Sequence, residues 1–188
     1  MRREMLLFEE AGPKNTELTL EAARRRAEEL DIRHLVVATS TGATMLKALD
    51  VCADTEIQIV GVTLLAGYWQ VYGAPDAAMV KTARERGALV LTATHTLMGN
   101  VEAAIRDKFG GLPPVEIIAH TYYTFCQGMK VAVEVATGAA DAGLVPTDRE
   151  IIAVAGTSSG CDTAIVMQAA CSNRFFDTSI REIIAMPR

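Results

Sequence analysis

Two short segments rich in glycine and hydroxyl side chains are the chemically most suggestive parts of this 188-residue sequence. The first is Thr39, Ser40, Thr41, Gly42, Ala43 and Thr44. The second is Gly156, Thr157, Ser158, Ser159 and Gly160, followed by Cys161, Asp162 and Thr163. The first segment follows the apolar run His34–Ala38 and precedes Met45, Leu46 and Leu49 at helical spacing, so it opens a helix directly from a buried strand. Free first-turn N–H groups, the positive end of the helix dipole and nearby hydroxyls together make an anion site suited to phosphate. In the second segment Gly156 and Gly160 allow positive φ, so successive N–H groups there can form an anion nest. Serine and threonine also cap helices for purely structural reasons, and for any one loop that reading stays open.

The first segment lacks the lysine and the spacing of a Gly-x-x-x-x-Gly-Lys-Ser/Thr loop, and it does not match Gly-x-Gly-x-x-Gly. A nucleoside triphosphatase or a dinucleotide-dependent dehydrogenase is not expected. Cys161 has no neighbouring base in the sequence to make it a nucleophile. The four cysteines (Cys52, Cys126, Cys161, Cys171) form no Cys-x-x-Cys pair, so neither a zinc site nor a disulfide framework is expected, and reduced thiols suit the cytoplasm.

Both segments need elements that bring them to one place. Apolar runs at Met5–Phe8, His34–Ala38, Ile57–Val62, Ala88–Ala93 and Glu150–Ala155 read as strands, with two further extended segments at Thr163–Ala170 and Arg181–Met186. Between them, helical spacing joins Leu20, Ala23, Ala27 and Leu30, with Asn15 or Thr16 as cap. A helix beginning at Pro75 buries Met79 and Ala83 and stops at Gly87. Leu97, Val101, Ile105 and Phe109 share a helical face, and Ile118, Tyr122 and Phe125 point inward from Val115–Cys126. Met129–Ala142 alternates like a strand at Val131, Val133 and Val135 but also fits a helix, which its length favours. Strands alternating with helices in the first half require right-handed crossovers and a parallel core. The C-terminal strands then add antiparallel at an edge. The expected fold is α/β, a three-layer α/β/α sandwich with a mostly parallel mixed sheet, as one domain over residues 1–188.

In such a sheet, ligands bind beyond the carboxyl ends of the strands. The residues just past each strand end add Asn15 and Thr16, Thr63, and His95 to the two segments as candidate ligand-binding residues. His95 either caps the next helix or touches ligand, and acting as an acid or base is its enzymatic alternative. Glu134, inside the apolar run KVAVEVA, either pairs with Lys130 one turn back or faces the ligand. Asp162 can fix its turn by accepting backbone N–H bonds. Trp69–Tyr72 could stack on a flat ring or pack at a subunit interface.

Composition narrows the function classes. Hydrophobic residues make up 50%, aromatics 5% and charged residues 22%. Mean hydropathy is +0.21, and disorder is excluded by the apolar surface available for burial. A net charge of −5 offers no basic stripe for nucleic acid. No stretch reaches the ~18 apolar residues of a membrane span, and the basic start at Arg2 and Arg3 precedes an apolar run too short for a signal peptide. The chain is too short for the roughly 250 residues of a (β/α)₈ barrel. Its apolar content suggests a homo-oligomer.

The strand–Thr-Ser-Thr-Gly–helix unit at Val36–Leu49 resembles the strand–Thr-Lys-Ser-Gly–helix of the pyruvate kinase C-terminal domain, where that loop holds a phosphate of a sugar-bisphosphate effector. The resemblance extends through AGPKNTELTL, HLVVATSTGAT, GALVLTATHTLMG, GMKVAVEVATGAADAGLVP, GTSSGCDTA and RFFDTSIREIIAMPR, nearly the whole chain. The whole chain resembles the free-standing relatives of that domain, which lack the catalytic barrel. The resemblance implies the same sandwich fold and a bound small phosphorylated ligand, with flavin mononucleotide (FMN) as one occupant. It also matches His95 to a family position and suggests subunit contacts. Ser40 stands where the effector loop has lysine and Thr41 where it has serine. Neither pyruvate kinase activity nor a sugar-bisphosphate ligand is therefore implied, and a binding or sensor module is expected ahead of an enzyme.

Overall fold

The computed structural model describes residues 4–188, so the basic start at Arg2 and Arg3 lies outside the described residues. In chain order the elements are β1 (Leu6–Phe8), α1 (Thr16–Leu30), β2 (His34–Ala38), α2 (Ala43–Val51), β3 (Gln58–Thr63), the short α3 (Trp69–Tyr72), α4 (Ala77–Glu85) and β4 (Leu89–Thr92). After these come α5 (Val101–Phe109), α6 (Pro114–Tyr123), α7 (Gln127–Asp141), β5 (Glu150–Ala155), β6 (Thr163–Gln168) and β7 (Ser179–Pro187). The seven strands form one sheet in the order β1-β7-β6-β5-β2-β3-β4. Only β6 runs against its neighbours; the β1–β7, β2–β5, β2–β3 and β3–β4 pairs are all parallel.

The sandwich arises because the central strands are apolar on both faces, as a doubly covered parallel sheet requires. Along β2, Leu35 and Val37 face one core and Val36 the other. Along β5, Ile152 and Val154 alternate in the same way with Ile151, Ala153 and Ala155. The first core is closed by Leu20, Ala23 and Ala27 of α1, Met45 and Ala48 of α2, and Ala83 of α4. The second is closed by α6 and α7, which contribute Ala119, Met129, Ala132, Val133, Val135, Ala136, Ala139 and Ala140. The helical reading of Met129–Ala142 thus holds: α7 spans Gln127–Asp141 and is buried on nearly every side.

Several expectations need correction. The C-terminal strands do not form the outer edge, because β1 pairs parallel with β7 and lies outside them, through Leu6 with Ala185 and Phe8 with Pro187. Pro75 precedes α4 rather than starting it. Asp76 is the cap, its carboxylate accepting from the amides of Ala78 and Met79 at 2.8 and 2.9 Å. The face of Val101, Ile105 and Phe109 turns outward: Val101 is 76% exposed and Phe109 74%. Leu97 lies before α5 and is buried, while α5 itself buries only Ala103. Polar contacts orient α5 instead, since Glu102 accepts from the Val115 amide at 3.1 Å and Arg106 pairs with Glu116 of α6. Phe125 is half exposed because α6 ends at Tyr123. A 3₁₀ segment, Ser172–Asp177, bridges β6 and β7 where no helix is expected.

Because β2, β3, β4 and β5 run parallel, their C-terminal loops gather at one edge of the sheet. The β5–β6 turn at this edge is locked to the loop before α1. The buried Asp162 carboxylate accepts from the Gly12 amide at 2.8 Å and from the Thr163 hydroxyl at 2.9 Å. Thr16 donates its hydroxyl to the Pro13 carbonyl at 2.7 Å and accepts from the Cys161 amide at 3.1 Å. Gly160, at φ +65°, sits so close that a Cβ there would lie 2.2 Å from the Thr16 hydroxyl. Replacing Asp162 by alanine strands the buried Gly12 amide and takes one of the Thr163 hydroxyl's two partners, so Asp162→Ala is expected to lower stability by about 1–3 kcal/mol. Chemical denaturation of the two proteins checks this, and an unchanged midpoint would contradict it.

Candidate functional site

At this loop-bearing edge, β2 and β5 are neighbours whose connections leave in opposite directions: β2 leads through α2 to β3, and β5 turns back into β6. That divergence opens a crevice, as it does at the switch points of open α/β sheets. A cleft of about 330 Å³ occupies the crevice, near the lower end of the range usual for small-molecule sites. Its floor is Ala38 and Thr39 from the end of β2 and Val62, Thr63 and Leu64 from the end of β3. One wall is the start of α2, with Ser40, Thr41, Ala43 and Thr44. The opposite wall is α7, with Gln127, Lys130, Val131, Glu134 and Val135. His95 and the β5–β6 turn (Gly156, Ser158, Ser159 and Gly160) complete it.

The α2 wall is shaped by its own hydroxyls. Thr39 accepts from the Gly42 amide at 3.0 Å and Thr41 from the Ala43 amide at 3.3 Å. The next first-turn amides, those of Thr44 and Met45, have no acceptor within the helix, and no side chain caps them among the described residues. Gly42 adopts φ +107°, and a Cβ there would lie 3.0 Å from Met79 Cβ. Gly42 itself lines no part of the cleft. Glycine is needed to turn the chain against α4, not to admit a ligand to its own backbone.

On the α7 wall, Lys130 donates to Glu134 Oε2 at 2.6 Å across one helical turn, with both side chains buried. Glu134 Oε1 accepts from the amides of Leu97 and Met98 at 2.9 and 3.0 Å. Glu134 therefore does both things open to it in the sequence: it pairs with Lys130 and it faces the cleft. His95 Nδ1 lies 3.9 Å from Glu134 Oε2. Burial lowers the His95 pKa, and Glu134 opposes that shift only in part, so the imidazole is neutral at pH 7.

The structure brings Thr39, Ser40, Thr41, Ala43, Thr44, Thr63, His95, Gly156, Ser158, Ser159 and Gly160 together around one cleft. It places Asn15, Thr16, Gly42, Thr157, Asp162 and Thr163 outside the lining. Asn15 does not cap α1 with its side chain, which donates instead to the Glu10 carbonyl at 2.7 Å. Thr16, Asp162 and Thr163 belong to the inter-loop lock. Trp69 donates to the Leu64 carbonyl at 2.9 Å, and Tyr68 packs edge-on against His95, so this aromatic segment buttresses the site from behind. Lys130 and Gln127 are lining residues absent from the sequence-derived set. The signal that could have found them is helical spacing: Gln127, Lys130, Val131, Glu134 and Val135 form one i, i+3, i+4, i+7, i+8 face of α7.

Burial pushes the Cys161 thiol up to about 12, and its sulfur lies 3.7 Å from the Thr16 carbonyl, so it stays protonated and is no nucleophile. Among the described residues no group of three or more His, Cys, Asp or Glu is placed to hold a metal ion, and no helix is long and apolar enough to cross a membrane.

Proton linkage gives the site a measurable signature. A histidine whose folded pKa is depressed below its ordinary value near 6.5 takes up protons more readily in the unfolded chain. Stability from His95 is thus complete above that value and is lost as pH falls through it. His34, at the start of β2, is depressed for the same reason, by burial and by Arg149. The melting temperature is expected to fall from pH 7.5 to pH 5. In His95→Asn the fall should be shallower but not absent, because His34 remains; an unchanged slope would contradict the burial argument.

The sequence profile of the family described as "Pyruvate kinase, alpha/beta domain" matches residues 17–167. Among solved structures, a pyruvate kinase from Cryptosporidium parvum is similar over 82% of this chain and 23% of its own, at 14% identity and a TM-score of 0.45. The chain thus spans about a quarter of that enzyme's length. With residues 17–167 accounted for, from the first turn of α1 to the end of β6, the chain belongs to the pyruvate kinase alpha/beta domain family.

Proposed function

We propose that this protein is a cytoplasmic binding or sensor module for a small phosphorylated molecule. The observation that carries the reading is the opening of the first turn of α2 into the cleft opposite α7. The hydroxyls of Thr39 and Thr41, which accept from the Gly42 and Ala43 amides and can still donate, the uncapped amides at Thr44 and Met45, and the positive helix end together suit a phosphate. The β5–β6 turn supports the same reading, though positive φ falls at Ser158 and Gly160 rather than at Gly156 and Gly160; both residues stand at the cleft rim in the conformation from which anion nests are built. The apolar faces of Val62, Leu64, Val131 and Val135 would lie along the ligand's body. A second reading, His95 acting as acid or base on the bound molecule, rests on its neutral imidazole in the cleft wall beside Glu134.

The cleft also suits flavin mononucleotide in outline: the α2 amides would hold its phosphate, and the apolar residues Val62, Leu64, Val131 and Val135 would lie against its ring. Bound flavin would supply one- or two-electron transfer there. If it is the occupant, freshly purified protein is yellow, with the absorbance bands of oxidised flavin. A colourless protein that takes up no added flavin mononucleotide would rule it out and leave the smaller phosphorylated ligands.

The phosphate reading is tested at Thr41, which is exposed and caps only one amide. As a cap alone, Thr41→Ala lowers stability by about 1 kcal/mol at most. As part of a phosphate site it also removes a hydrogen bond to a charged group, and affinity for phosphate monoesters should fall about tenfold or more. Calorimetric titration alongside thermal denaturation separates the two. Undiminished affinity in the folded variant would place the phosphate elsewhere.

A further inference from the structure

Among the described residues, Lys130 and Glu134 are the two formally charged side chains that line the cleft, and they neutralise each other. Their roles are unequal. Glu134 is held at both oxygens, one taking two backbone amides and the other Lys130. Lys130 has a single such partner. Its ammonium carries three N–H groups, yet among the described residues Glu134 Oε2 is its one hydrogen-bond acceptor; the Tyr123 ring lies 5.8 Å from it. A buried ammonium with spare donors, in a cleft wall, can take a further acceptor oxygen.

Charge decides what that oxygen can be. The pair is already neutral and Glu134 is fixed, so a second anion placed on Lys130 would lie against the Glu134 carboxylate in a site largely shielded from water. Like charges so placed are costly. An uncharged hydroxyl is not penalised. It can accept from Lys130 and donate to the neutral His95 or to the side-chain oxygen of Gln127, which lines the same wall.

Resting on the phosphate reading above, we propose that the cleft selects a phosphorylated polyol, a ligand with one phosphate and an otherwise uncharged, hydroxyl-bearing body. Lys130 is its hydroxyl-binding residue, and Glu134 is the specificity residue that excludes a second anionic group. The α2 end holds the only anion the site accepts. Bisphosphates and phosphorylated carboxylic acids are rejected by the far end, not by the phosphate loop.

The test uses two probes that differ only there: glycerol phosphate, ending in a hydroxymethyl group, and phosphoglycerate, ending in a carboxylate. Titrated into the full chain, glycerol phosphate should bind at least about tenfold more tightly, a difference of about 1.4 kcal/mol. In Glu134→Gln the amide oxygen can still accept from Leu97 and Met98, but Lys130 loses its counter-charge, and the preference should reverse toward phosphoglycerate. Should that variant fail to fold, Lys130→Met combined with Glu134→Gln removes both charges together, and discrimination should disappear. Equal binding of the two probes by the wild-type protein, or tighter phosphoglycerate binding, overturns the proposal while leaving the phosphate site standing. If neither probe nor inorganic phosphate binds, the phosphate reading itself fails and this proposal with it.

Discussion

The buried pair of Lys130 and Glu134 is the interaction on which the site depends. It joins two parts of the chain that are distant in sequence: α7 and the loop after β4, which brings the amides of Leu97 and Met98 and, at 3.9 Å, His95 to the same carboxylate. Two charges removed from water are tolerated only when paired and hydrogen-bonded. Here the carboxylate has three donors within 3.0 Å. Breaking such a pair from one side leaves an uncompensated charge, a cost on the order of 3–5 kcal/mol. An apolar pair at the same positions would leave the amides of Leu97 and Met98 without their acceptor, so the pair both fixes the loop after β4 and presents its polar atoms to the cleft.

A second constraint holds the opposite rim. Asp162, Thr16 and Gly160 lock the loop before α1 onto the β5–β6 turn. That turn in turn presents Gly156, Ser158, Ser159 and Gly160 to the cleft. Thr16, Asp162 and Thr163, candidate ligand-binding residues in the sequence, lie outside the cleft lining and hold the two loops together. The division has a physical basis: a rim built from exposed loops needs buried hydrogen bonds beneath it to keep its amides in place, because loops contribute little apolar burial of their own.

Much of this is legible in the sequence. The strands His34–Ala38 and Glu150–Ala155 appear in the structure with the same limits, because short apolar runs bounded by polar turns leave little else for a buried parallel strand to be. The cleft's α2 wall is legible because a strand running straight into a Gly/Thr-rich helix start has a definite geometry. Features that depend on long-range pairing are not. The position of β1 beyond β7 is set by backbone hydrogen bonds that leave no trace in side-chain pattern. The outward face of α5 is hidden because Val101, Ile105 and Phe109 have core-like spacing, and the period alone does not say which side is covered. Lys130 is visible only as the partner of Glu134, since a lysine in an apolar run does not announce that its ammonium lines a cavity. The family profile match covers the sheet's centre and both cleft walls.

The central claim, that phosphate is held at the start of α2 opposite the Lys130–Glu134 wall, is tested most directly by backbone amide resonances while glycerol phosphate is titrated into the isotopically labelled protein. The account predicts saturable shifts that are largest at Ala43, Thr44 and Met45, with a second group at His95 and Lys130. Shifts confined to other surfaces, or no shift at saturating ligand, would contradict it.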